Sequence, residues 1–95
     1  MRCIEIITLR SLARADRQLV DELLRQVFKD KESGHPESIR VYHHPLVETD
    51  LSIHIHWETN GQDPGESPLG QRTSYALKGL GLLNHSLWVE AAALE

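Results

Sequence analysis

Between Leu51 and Glu58 the chain alternates without a break, with Leu51, Ile53, Ile55 and Trp57 on one side and Ser52, His54, His56 and Glu58 on the other. A period of two is that of a β-strand with two unlike faces. Ile39 and Val41 alternate in the same way with Arg40, Tyr42 and His44. This predicts a partner strand stopping before Pro45, which has no N–H for a neighbour and so suits a sheet edge. Glu48, Thr49 and Asp50 supply the turn between the two. The isoleucine-rich run Arg2 to Leu9 predicts another strand, with Ile4 and Ile6 set toward the core and Glu5 and Ile7 away from it. In the run His85 to Glu90, Leu87 and Val89 alternate with Ser86, Trp88 and Glu90 to give a fourth.

Two segments follow the helical period instead. Leu19, Val20, Leu23, Leu24, Val27 and Phe28 recur at steps of three and four, predicting a helix over residues 16 to 30 with Asp16 as N-cap and Gly34 and Pro36 preventing its continuation. Ser67 and Pro68 form an N-cap and N1 pair, and Leu69, Thr73, Ala76, Leu77 and Leu80 carry a second helix over 68 to 80, closed by Gly81 at C′. The polar stretch from Thr59 to Pro68 holds two glycines and two prolines, a loop composition long enough for a lid.

Strand, helix, strand, strand, helix, strand is the order of the ferredoxin-like α+β fold, a four-stranded antiparallel sheet ordered 4-1-3-2 with both helices on one face. The helix-facing core is then expected to hold Ile4, Ile6, Val41, Ile53, Ile55, Leu87 and Val89. The open face would carry Glu5, Ile7, Arg40, Tyr42 and His44 together with His54, His56, Glu58, Trp88 and Glu90.

That open face is where chemistry is expected. His54 and His56 stand roughly 6 to 7 Å apart on one side of a strand and titrate near neutral pH, so they are the candidate acid–base residues, with Glu5 on the neighbouring strand to orient them. A metal would need a third ligand, from Glu5 or His44; neither a metal nor a cofactor is expected. Hydrogen-bonded histidines at a subunit interface are the simpler account of the pair. Tyr42, His44, Arg40 and Trp88 are the candidate ligand-binding residues. Trp57 continues the core series, and Trp88 is free to meet a partner subunit or an aromatic ligand.

Composition narrows the partners. Ninety-five residues with a formal charge of -4 make one small domain, expected over 1 to 90, of the wrong sign for a general nucleic-acid or anionic-membrane binder. Residues 91 to 95, AAALE, read as a vector-derived tail. Cys3 is the only cysteine, which excludes an internal disulfide or a cysteine-rich zinc site. No apolar run approaches a membrane span, and the default location is the cytoplasm. Exposed Ile7, Tyr42 and Trp88 predict a homodimer through the open sheet face, with a small aromatic or neutral ligand.

Other proteins of this element order lack matching residues here. RNA-recognition domains need a glycine–aromatic pattern that LSIHIHWE does not have, and metal chaperones need a C-x-x-C pair. An amino-acid-sensing module of the ACT type stays open as a non-enzymatic alternative, as does a purely structural dimer. In length, element order and a sheet face of mixed aromatic, histidine and carboxylate residues, the chain resembles the dimeric α+β barrel group, typified by antibiotic biosynthesis monooxygenase-like proteins. That resemblance implies two sheets paired face to face around a pocket, and for some members oxidation of aromatic substrates by oxygen without a bound cofactor. It is a resemblance of fold, and no catalytic signature matches position by position.

Overall fold

The sheet consists of four antiparallel strands, β1 (Arg2–Ser11), β2 (Ser38–His43), β3 (Asp50–Glu58) and β4 (Gly81–Val89), ordered β2-β3-β1-β4. Two helices, α1 (Arg17–Phe28) and α2 (Pro68–Leu77), complete the expected βαββαβ order of the ferredoxin-like fold. This is a computed structural model, describing residues 2–11, 17–29, 35–47, 49–58, 65 and 67–94. The expected N-cap at Asp16, the stop at Gly34, the turn residue Glu48 and all of the loop at 59–66 except Gly65 lie outside the described residues. No described helix is long and apolar enough to cross a membrane.

Both helices bury their apolar stripes in one core: Val20, Leu24 and Val27 from α1, Leu69 and Leu77 from α2, against Ile7, Leu9, Leu51, Ile53 and Ile55 of the sheet. The second helix begins as its sequence dictates, with Ser67 Oγ accepting the Gly70 N–H at 2.9 Å and Pro68 in the first turn. Its end differs from expectation. The helix stops at Leu77 with Lys78 as its cap, and Gly81 opens β4 rather than closing α2. There it pairs with Ser11, so close to β1 that a Cβ would run into Arg10 O. Only glycine fits that approach.

The parity of β1 is opposite to the expected one. Cys3, Glu5, Ile7 and Leu9 face the helices, whereas Ile4, Ile6 and Thr8 lie half-buried on the open face. Isoleucines at 4, 6 and 7 make either face plausible locally; what decides is pairing, which sets Glu5 beside Ile55 and Ile7 beside Ile53, both fully buried. In β2 and β3 the expected faces hold, since Ile39 and Val41 pair with Ile55 and Ile53.

This parity drives a carboxylate into the core. Glu5 has no exposed surface, and burying it requires donors for its lone pairs. Among the described residues three groups provide them. Trp57 Nε1–H donates to Oε1 at 2.7 Å, His85 Nε2 meets Oε2 at 2.7 Å, and the Ser67 N–H reaches Oε2 at 3.3 Å. With Glu5 ionised, His85 Nε2 must carry the proton. The cluster ties β1, β3 and β4 to the start of α2, and it explains a glycine inside that helix. A Cβ on Gly70 would collide with Glu5 Oε2 and stand 3.0 Å from His85 Cε1.

Gly70→Ala is therefore expected to destabilise the fold by about 1 to 3 kcal/mol through overpacking, despite the better helix propensity of alanine. Glu5→Ala should cost about 3 to 5 kcal/mol, because it strands the partners of a buried pair. The two effects are coupled through one contact. In a double-mutant cycle followed by urea unfolding, the Gly70→Ala penalty should shrink once Glu5 is gone; strictly additive costs would contradict the geometry.

Candidate functional site

Three rungs of side chains cross the open face from β2 to β4. The first runs Ser38, His56, Ile4, Trp88; the second Arg40, His54, Ile6, Ser86; the third Tyr42, Ser52, Thr8, Asn84. Beyond the third, Asp50, Arg10 and Leu82 form a further row, with Arg10 Nη2 3.4 Å from Asp50 Oδ2. The face is thus apolar and aromatic at the Trp88 end, imidazole and guanidinium in the middle, and hydroxyl-rich toward the β2–β3 turn.

His54 is the best-defined group of this face. Its Nε2 lies 2.8 Å from Ser52 Oγ, and the Tyr42 ring packs against it at a centroid distance of 4.5 Å and a tilt of 50°. Burial, and after it the neighbouring His56, pushes its pKa below the ordinary imidazole value. The unprotonated ring is thereby favoured at neutral pH. His56 occupies the next rung toward Trp88, and Arg40 is exposed beside His54.

His44 lies just past β2 and serves the turn. Its Nδ1 accepts from the N–H groups of Leu46 and Val47 at 3.1 and 3.0 Å, which leaves Nε2 as the protonated nitrogen of the neutral ring. Trp88 is exposed on the open face, with its Nε1–H donating to Ser86 Oγ at 3.1 Å.

The structure brings together Tyr42, His54, Arg40 and, one rung on, His56, but not Glu5. The carboxylate lies on the opposite face, so it cannot orient His54 or His56 as its sequence position suggested. Its imidazole partner is His85, and Trp57, expected as plain core, is its donor. The sequence held one signal of this: with Cys3, Ile7 and Leu9 counted as the buried series, Glu5 falls among them. Cys3 is buried, and burial followed by the charge of Glu5 raises its thiol pKa, which keeps it protonated. Among the described residues no group of three or more His, Cys, Asp or Glu side chains could hold a metal ion.

Among the described residues, two grooves indent the open face. The larger, about 560 Å³, occupies the third rung and the row beyond it, lined by Thr8, Tyr42, His44, Ser52, Leu82 and Asn84 among others. The smaller, about 270 Å³, lies around Ile4, His56 and Trp88.

The sequence matches no family model, and no curated protein matches it. Solved structures do match in shape. SnoaB, a cofactor-independent oxygenase from Streptomyces nogalater, superposes with a TM-score of 0.65 at 13% identity, over 98% of this chain and 96% of that one. Rv0793 from Mycobacterium tuberculosis gives 0.62 at 10% identity over the whole of both chains. A proposed antibiotic biosynthesis monooxygenase from Deinococcus radiodurans gives 0.60 at 18% identity, over 100% of this chain and 97% of that one. At such identities the likeness is one of fold, and the chain has the ferredoxin-like architecture of the antibiotic biosynthesis monooxygenase-like proteins.

Proposed function

We propose that the protein is a homodimer whose open sheet faces meet and enclose, toward the Tyr42 end, a pocket for a small neutral or aromatic molecule. The observation that carries this reading is the uncovered apolar surface of that face. Leu82, Trp88 and Tyr42 are 63%, 59% and 46% exposed, and Ile4 and Ile6 beside them are only half-buried. Patches of this kind on small proteins mark interaction sites. A second copy of the same face offers a self-complementary cover, in which each Trp88 meets apolar surface of the other chain. The larger groove, at about 560 Å³, falls within the usual range for small-molecule sites.

The reaction proposed for the pocket is the one SnoaB's name carries, oxygenation of a bound substrate without a cofactor. His54 is the base this reading requires, since its lowered pKa keeps it able to accept a proton from a substrate hydroxyl at neutral pH. His56 is the second candidate, with Arg40, Tyr42, His44 and Trp88 as ligand contacts. Glu5 belongs to the helix-facing cluster and plays no part in this pocket.

Sedimentation at micromolar concentration and neutral pH should find a dimer burying on the order of 800 Å² per subunit. Trp88→Ala should weaken it by about thirtyfold or more, as for an interface anchor. A monomer under those conditions would end the dimer reading.

The depressed pKa of His54 sets the sign of a pH effect. Between its folded value and the ordinary 6.5 the unfolded chain binds the proton more readily, so stability rises with pH across that interval. This contribution is complete above about 6.5 and is lost as pH falls through the folded value. Urea midpoints between about pH 5 and 8 should therefore drop on the acid side, and less steeply in His54→Gln; equal slopes for the two proteins would refute the assignment.

A further inference from the structure

Ser52 and His54 share one strand and one face, and their Oγ and Nε2 atoms are 2.8 Å apart. Side chains two residues apart on a strand start roughly 6 to 7 Å from each other, so this contact exists because both lean inward. Tyr42 closes against the imidazole from β2. Ser52 also lines the larger groove, and its partners on the adjoining strands, Thr8 on β1 and Tyr42 on β2, line it as well. With Nε2 as the unprotonated nitrogen of the ring, the Ser52 hydroxyl is placed to donate to it. Ser86, another hydroxyl on the same face, is engaged instead with Ile6 O and the Trp88 indole.

A serine hydroxyl attacks a carbonyl only when a base within hydrogen-bond reach takes its proton, and that juxtaposition is the signature of an activated nucleophile. We infer that Ser52 and His54 form a nucleophile–base pair that hydrolyses small neutral esters held in the groove. Ser52 Oγ bonds to the ester carbonyl carbon while its proton passes to His54 Nε2. The carbonyl oxygen gathers charge toward the rung neighbours of Ser52, Thr8 on β1 and Tyr42 on β2, whose hydroxyls serve as its donors in this scheme. The bond to the alcohol oxygen then breaks, and His54 returns the proton to the departing alcohol. Water, giving its proton to the same nitrogen, adds to the acyl–Ser52 carbonyl; the carboxylic acid leaves and Ser52 regains its hydrogen. No oxidant, metal or further reactant enters the balance.

The groove supports this substrate class. Leu82 and Pro45 give it apolar walls suited to a short acyl group. The charged groups within it, Arg10 and Asp50, face each other at 3.4 Å. Burial and His56 hold His54 unprotonated at neutral pH. The other groups facing it are Arg40 and Tyr42 on β2, Ile6 on β1 and, beyond that, Ser86 on β4.

The test is covalent capture. The full chain is incubated with diisopropyl fluorophosphate and mapped by peptide mass, while p-nitrophenyl acetate hydrolysis is followed in parallel. The expected result is one adduct, on Ser52, absent from Ser52→Ala and formed about a hundredfold more slowly in His54→Gln. Ser86→Ala should label as the unaltered protein does. Should Ser52→Ala fail to fold, the unaltered protein decides: adduct formation should rise with pH through a value below the ordinary 6.5 of imidazole. No adduct, adducts scattered over several serines, a rate indifferent to His54→Gln, or a flat pH profile would overturn the inference. It shares the groove with the dimer reading but not its fate, since a labelled monomer would sustain one and sink the other, and an unlabelled dimer the reverse.

Discussion

A carboxylate without exposed surface sits near the centre of the sheet's helix-facing side, and the placement of α2 depends on it. Glu5 could not stay there unpaired, because an ionised group in a low-dielectric interior is costly until donors replace its water. The indole of Trp57, the imidazole of His85 and the backbone N–H of Ser67 are those donors. Each comes from a different segment, so satisfying one side chain fixes the relative positions of β1, β3, β4 and the beginning of α2. The helix must also come close enough for Ser67 to reach the carboxylate, and Gly70 is the residue that permits the approach.

Polar chemistry is consequently divided between the two faces of the sheet. On the helix side, Glu5 and His85 are a packed structural pair. On the open side, His54 has a hydroxyl and a phenol ring as neighbours rather than a carboxylate. That difference bears on reactivity. Partial desolvation, and after it the neighbouring His56, pushes the His54 imidazole toward its neutral, proton-accepting form.

The structural neighbours share the architecture at 10% to 18% identity, and a fold of this kind carries unrelated chemistries. What is particular to this chain is the set of side chains it places on the common frame. The hydroxyl-rich rung of Tyr42, Ser52, Thr8 and Asn84 and the neighbouring His54 give its groove a character that the backbone alone does not specify.

The element order, both helix stripes, the Ser67–Pro68 start of α2 and the two-faced character of β2 and β3 were legible in the sequence, because each is a local pattern whose period or capping chemistry depends only on near neighbours in the chain. His54, Tyr42 and Arg40 could be placed on one face for the same reason. The parity of β1 was not legible. Ile4, Ile6 and Ile7 satisfy either face, so only hydrogen-bonded pairing with β3, which sets Glu5 opposite Ile55 and Ile7 opposite Ile53, could choose. The partners of Glu5 are 52, 62 and 80 residues away along the chain, a separation no local pattern spans. Tertiary structure alone turned a presumed surface carboxylate into the buried tie of the fold, and it gave His54 a serine where an acid had been expected.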